Sequence, residues 1–388
     1  MTTITRERCI RALTEISAYP TASFFEWRVA SYITGELNRL GIPFEQDRYG
    51  NIIARYEGEG APDAPSLALM AHMDHPAFEI IREEGKPPRA LMLGGARKEC
   101  FDGRRVPVRV FPEFPPVDGP DEGIPGVVTG YEEIDYADGL IFDLELSRES
   151  ELSDLSDGCR FFGIWDLPPI EIRDDIAYMR AIDDVVGCAT ILLTLEALVE
   201  RKSPCRCLGV FTRAEEIGLV GASLLAEARI LPADAIVVSL ETSKTLPGAE
   251  IGGGPVIRVG DKSRTFDGDA ESVLHAARDA MQKENPDTKV QRQLMSGGNC
   301  EAIVFVLSGY RTTAMAIPLG NYHNVSPEPT IAPEYIHLGD LAAQVELLAR
   351  AARLTATDTN EPLRQRYRTV LETYRDRMRE SFLRWPQR

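Results

Sequence analysis

The chain has 388 residues, 44% hydrophobic and 27% charged, the balance of a soluble globular protein with room for two domains or one large domain carrying an insertion. A net charge of −17 argues against nucleic acid or an anionic membrane as the main partner. No apolar run approaches the roughly 18 residues of a membrane span, the charged N-terminal stretch does not read as a signal peptide, and seven scattered cysteines read as reduced thiols, so the expected location is the cytoplasm.

In chain order, "SFFEWRVASYITGELNRLG" spaces its apolar residues as a helix and stops at Gly41. "PFEQDRYGNIIARYEG" reads as a hairpin, and "SLALMAHMD" as a buried parallel strand. From about residue 76 to 175, prolines and glycines crowd short β-like runs, as in "VFPEFPPVDGPDEGIPGVV", which predicts a small all-β insertion. Residues 1–75 and 176–388 are left as one discontinuous α/β domain.

Beyond the insertion, strand and helix signals alternate. "IAYMR", "CRCLGVFT", "AIVVSLE", "GPVIRVG", "KVQRQLM" and "TTAMAIPLG" read as strands. "DDVVGCATILLTLEALVERK", "GLVGASLLAEAR", "GDAESVLHAARDAMQKE", "GNCEAIVFVLS" and "LGDLAAQVELLARAARL" read as helices. The pattern predicts a mixed α/β sheet flanked by helices. In the extra C-terminal helix expected over 360–388, Leu363, Tyr367, Val370, Leu371, Tyr374, Met378 and Phe382 fall on one stripe, with arginines expected to dominate the other face. That helix either packs on its own domain or meets another subunit.

Functional groups in open α/β sheets gather at the carboxyl ends of strands. Five strand signals are followed there by His72 and Asp74, by Asp183 and Asp184, by Glu215 and Glu216, by Glu241, and by His323. Singly each has an ordinary explanation: a core histidine, a helix cap, a polar loop. Converging carboxylates without cations would repel one another and take up protons. Two imidazoles and three carboxylates match the needs of two N/O-ligated divalent ions sharing one carboxylate. In "FTRAEEIGLVGA", an extended backbone would point Glu215 and Glu216 in opposite directions and so let them do different work.

"AHMDHPAFEI", "RAIDDVVGCATILL", "FTRAEEIGLVGA" and "PLGNYHNVSPE" resemble, in order, the motifs of the co-catalytic two-metal aminopeptidases, in particular the glutamyl/deblocking branch that builds tetrahedral assemblies. "DRYGNIIARYEG" is similar to that family's Asp-x-x-Gly-Asn strand, and the spacer of near 110 residues between His72 and Asp183 fits its inserted β domain. The resemblance implies a zinc-dependent exopeptidase-like fold, a peptide substrate, a homo-oligomer, and two divalent metal ions per chain, zinc with cobalt or manganese as alternatives. Asp183 would bridge the metals, with Glu216 and His323 completing one site and His72 and Glu241 the other. Glu215 would be the general base, Asp74 would orient His72, and Asp184 takes no catalytic role.

Three departures accompany the resemblance. Glu241 stands where the branch usually has Asp, "SGGNCEAIVF" where it tends to have Gly-Thr-Asp-Ala, and Gly320-Asn321 where it commonly has Arg before Tyr. The rival readings are a two-metal amidohydrolase, carboxypeptidase-type deacylase or dipeptidase, a non-catalytic scaffold, and a cysteine hydrolase using Cys300 and His323.

Overall fold

The computed structural model describes residues 4–61, 63–114, 122–134, 139–147 and 159–385. Its main sheet runs in the order β1 (Phe44–Gln46), β2 (Ile52–Glu57), β12 (Arg206–Thr212), β3 (Leu67–His72), β13 (Ile236–Lys244), β16 (Arg311–Leu319), β14 (Val256–Gly260) and β15 (Gln291–Leu294). The central strands β12, β3, β13 and β16 are mutually parallel, whereas β1/β2, β2/β12 and β14/β16 pair antiparallel.

All six residues of β3 are buried, because the strand has parallel neighbours on both sides and helices over both faces. Its side chains alternate between two cores. Leu67, Leu69 and Ala71 join the core shared with α1 (Arg6–Ser17), α2 (Trp27–Leu40) and α3 (Val185–Glu200). Ala68 and Met70 face the opposite core, which holds Leu225 of α4 (Val220–Glu227) and Phe305 of α6 (Ala302–Leu307). The remaining helices are α5 (Gly268–Glu284), α7 (Leu338–Ala351) and α8 (Glu361–Leu383). In α3, Val185 to Leu198 is buried without interruption, as befits a helix apolar all round, and the Asp184 carboxylate caps its start by accepting the Gly187 N–H at 3.1 Å.

Between β3 and α3 the chain builds a closed antiparallel barrel, β4 (Ala77–Ile81), β5 (Arg89–Leu93), β8 (Leu140–Leu146), β7 (Ile124–Glu133), β6 (Val106–Pro112) and β9 (Phe161–Trp165). Its core is aromatic: Phe78 packs edge-on against both Phe142 and Trp165. One strand expectation needs correction. "IAYMR" forms β11 (Ile176–Met179), but outside the main sheet, between β10 (Ile170–Arg173) and β17 (Glu334–His337). Local periodicity marks a strand but does not encode its partner. The C-terminal stripe is not packed on its own domain either, for no residue of α8 is buried.

The Asp-x-x-Gly-Asn stretch ties the edge hairpin to the loop after β12. Asp47 accepts the N–H groups of Tyr49 and Asn51 and the Asn51 side-chain amide, while Gly50 turns the chain at φ 87°. Asn51 then accepts the Arg213 N–H at 3.1 Å and donates to the Gly221 carbonyl at 3.3 Å. Gly221 lies so close to Arg213 that an added Cβ would sit 2.3 Å from its carbonyl oxygen. Gly221→Ala is therefore expected to cost about 1–3 kcal/mol of stability, read as a lower urea midpoint at unchanged m.

Candidate metal centre

The parallel neighbours β3, β12 and β13 deliver three parts of the cluster. His72 ends β3, Glu215 and Glu216 lie in the loop after β12, and Glu241 projects from β13 past its last pairing with β3. Asp183 comes from the β11–α3 junction, and His323 from a single 3-10 turn, Tyr322–Asn324, after β16. All five metal ligands expected from sequence converge. His72 Nε2 is 3.6 Å from one Asp183 oxygen and His323 Nε2 is 3.7 Å from the other. His323 Nε2 is also 3.5 Å from Glu216 Oε2, and His72 Nε2 is 3.8 Å from Glu215 Oε2. Two overlapping donor sets, His72–Asp183–Glu241 and Asp183–Glu216–His323, each bring their ligand atoms within 4.8 Å of one another and share Asp183.

The Glu215 and Glu216 carboxylates lie near different histidines, His72 and His323, but not by extended geometry. Residues 213–219 form a turn in which the Glu215 carbonyl accepts the N–H groups of Gly218 and Leu219 at 2.8 Å. Ala214 and Leu219 on either side have left-handed φ of 53° and 59°, and the buried Glu26 carboxylate accepts the Ala214 N–H at 3.0 Å. The turn is further fixed by Asp74, whose two oxygens accept the Glu215 and Glu216 N–H groups at 3.0 and 3.2 Å. Asp74 also accepts the Ser23 hydroxyl at 2.6 Å and lies 3.4 Å from His72 Nδ1. His72 Nδ1 is also 3.2 Å from the Asp74 backbone carbonyl, so Asp74 contacts both the first histidine and the glutamate turn.

Sequence reasoning missed the group holding the other half. The carboxylate of Glu334, completely buried on β17, accepts the N–H groups of Ile182 (2.7 Å), Asp183 (3.1 Å) and His323 (2.8 Å). It fixes both loops that enter from outside the parallel strands, including His323 at a left-handed φ of 55°. His75 is the second omission: Nδ1 meets the Asp183 carbonyl and Nε2 the Asn324 side chain at 2.8 Å. Its position beside Asp74 in "AHMDHP" was the available signal, but its partners are 108 and 249 residues away.

The electrostatics fit a cation. Oε1 of Glu216 and Oε1 of Glu241 are buried with no hydrogen-bond partner among the described residues. Burial pushes Glu241 up to about 8, helped by Asp183, and burial with neighbouring acids holds Glu215 and Glu216 well above the ordinary carboxylate range. Burial lowers His323 to about 4; at His72 the same penalty is overcome by Glu215, Asp183 and Asp74, leaving it well above its usual value. Cys300 is wholly buried and its thiol is pushed up to about 12, so the cysteine-hydrolase reading has no nucleophile.

Beside Glu241 a cavity of about 310 Å³ is lined by Ser243, Lys244, Arg258, Asn299 and Tyr322 among others. Arg258 is 3% exposed. It donates to the Ser243 hydroxyl and the Gly298 carbonyl at 3.2 and 3.3 Å, its Nε has no partner, and no carboxylate of the described residues lies within ion-pair distance.

A family profile for M42 glutamyl aminopeptidases matches residues 50–347. A glutamyl aminopeptidase of Lactococcus lactis subsp. cremoris is 29% identical over 231 residues, 55% of this chain; the match spans 61% of that relative's length. Among solved structures, a TET1 peptidase of Pyrococcus horikoshii that can assemble into a tetrahedron or a large octahedral shell aligns with TM-score 0.67 at 24% identity, over 89% of this chain and 99% of its own. A TET aminopeptidase from a thaumarchaeotal archaeon of marine sediment aligns with TM-score 0.71 at 20% identity, over 91% and 99%. These likenesses show the fold.

A proton on Glu241 must leave before its carboxylate can ligate a cation. Since burial raises Glu241 to about 8 and His72 and Glu216 also hold their protons above their usual ranges, divalent-metal affinity should rise with pH from 7 through 8. Calorimetric titration with zinc at pH 7, in buffers of different ionisation enthalpy, should show release of at least about one proton per chain.

Proposed function

The chain belongs to the M42 glutamyl aminopeptidase family, and from that premise we propose that it is a metal-dependent aminopeptidase removing N-terminal residues from peptides. The observation that carries the reading is the pair of donor sets sharing Asp183; Glu215, which also groups with His72 and Glu216, is taken as the base. His72 and Glu241 would hold one divalent ion, Glu216 and His323 the other, and Asp183 both. Nitrogen and oxygen donors without thiolate favour zinc, with cobalt or manganese as alternatives. Two such ions supply a polarised scissile carbonyl and a more acidic attacking water.

The chain's own part is proton handling and positioning. Glu215 takes the water's proton and passes it to the departing amine. Asp74 holds Glu215 and His72 in their relative positions, and Glu334 holds Asp183 and His323. The glutamyl specificity in the name of the lactococcal relative is extended to this chain on a separate ground. Arg258 is a buried cation with no carboxylate in direct contact, Glu241 and Asp261 acting on it only from farther away, and it lines a cavity where an acidic N-terminal side chain could pair with it directly.

The same proposal divides the chain into a catalytic unit, 1–75 with 176–388, and an inserted β unit, 76–175. The barrel's closed hydrogen-bonding circuit and its own core support it, while the pairing of β10 with β11 draws the boundary tighter, after Trp165. Among the described residues no helix is long and apolar enough to cross a membrane. The seven cysteines are free, which supports a cytoplasmic location. Glu241 in place of the usual Asp favours one alternative, an amidohydrolase acting on N-acyl substrates, and comparison of free with N-acetylated peptides separates the two.

Glu215→Gln is expected to retain full metal content while turnover falls roughly 10²–10⁴-fold; near-normal rates would remove Glu215 from its role. His323→Ala should lose about one of two bound ions by elemental analysis. Arg258→Met should lower kcat/KM for peptides beginning with Glu by about tenfold or more, without a matching loss for those beginning with Leu.

A further inference from the structure

The apolar stripe of α8 lies outside everything discussed so far. It falls beyond the family-matched stretch, which ends at residue 347. The residues from Leu363 to Trp385 on this stripe are 48% to 71% exposed, although such a helix gains most of its stability by packing an apolar face. Eight side chains each exposing on the order of 100 Å² offer about 800 Å² on one copy, the area a stable partner surface requires.

The charges around the stripe identify what it fits. At 100° per residue, Arg366 and Arg377 border one side of the stripe and Arg375 the other, and none of the three has a carboxylate partner among the described residues. Glu372, Asp376 and Glu380 occupy the far face. The sequence expectation of arginines opposite the stripe is thus corrected: they flank it. Seven arginines against four acids give 361–385 a net charge of +3, which leaves −20 on the rest of the chain. Two α8 helices laid stripe to stripe would bring arginine rims together, whereas the body of another copy is strongly acidic. The Pyrococcus horikoshii TET1 peptidase, of the same fold, assembles from copies.

We infer that α8 is an assembly arm, docking its arginine-rimmed apolar stripe on the acidic body of a second copy of this chain. Sedimentation velocity at micromolar concentration tests it on the full chain, on a chain ending at residue 359, and on Arg366→Glu/Arg375→Glu/Arg377→Glu. Both variants should retain the native thermal transition and fall at least twofold in assembly mass, and higher salt should dissociate the full chain progressively. An unchanged mass on truncation overturns the inference. So does a mass lost on truncation but kept on charge reversal, which would mean that the stripe meets a surface of another kind. Flotation of the full chain with phosphatidylserine vesicles, at the same mass as the truncated chain, would replace the second copy by a membrane. The readout is mass, so it stands or falls independently of peptidase activity.

Discussion

The structure is organised around the cost of bringing acids together away from water. Asp74, Asp183, Asp184, Glu241 and Glu301 are all less than 9% exposed, and Glu215 and Glu216 border the same space. Two like unit charges 4 Å apart repel by about 4 kcal/mol at an effective dielectric near 20. A chain relieves this with donors, protons or cations, and this one uses donors selectively. Asp74 receives two backbone N–H groups and a hydroxyl, and Glu334 receives three backbone N–H groups. Asp74 sits below its ordinary pKa because His72, Ser23 and the Glu215 N–H outweigh its burial. Glu216 and Glu241 keep bare oxygens. Asp184 and Glu301 also keep a bare oxygen, so an unmet carboxylate oxygen does not by itself mark a cation ligand, whereas Asp74 and Glu334 are satisfied by the backbone of the loops around the cluster.

The two positioning carboxylates divide the work according to where each ligand originates. His72, the glutamate turn and Glu241 arrive on adjacent parallel strands, whose common direction already brings their carboxyl ends together. Asp74, just past the end of β3, needs only to set the final orientation. Asp183 and His323 follow segments that both pair with β17, Tyr178 and Gly320 each opposite Tyr335, and Glu334 on that strand adds to this by accepting N–H groups from both loops. Glu334 does not join the two loops alone, since His75 spans the Asp183 carbonyl and the Asn324 side chain, and Asn324 donates to the Arg180 carbonyl.

The sequence carried most of this, and where it fell short has a physical cause. Strand and helix periods, the order of the motifs and the five candidate residues that the structure brings together were legible because each is a local pattern. The placement of β11 was not, since its partner β17 begins more than 150 residues later. The extended reading of Glu215 and Glu216 failed because the turn is imposed from outside, by Glu26 and Asp74. Glu334 and His75 were missed for the same reason: a positioning group is defined by what it touches, and its residue type alone is uninformative. Asn51 shows the intermediate case. Its motif was visible, but its role of joining Arg213 to Gly221 was not.

A net charge of −17 stands against the proposed preference for an acidic N-terminal residue, and the distribution of charge bears on that conflict. At physiological ionic strength exposed charges are screened beyond about 8 Å, so the overall sign governs approach only weakly. Arg258 is buried, where screening is least, and it faces the cavity beside Glu241. One desolvated guanidinium there outweighs many distant surface carboxylates in deciding which side chain can enter. The acidic exterior is then free to serve another purpose. It is the surface that an arginine-rimmed helix can recognise, so under both proposals a buried arginine would select substrate while the acidic exterior receives the next copy.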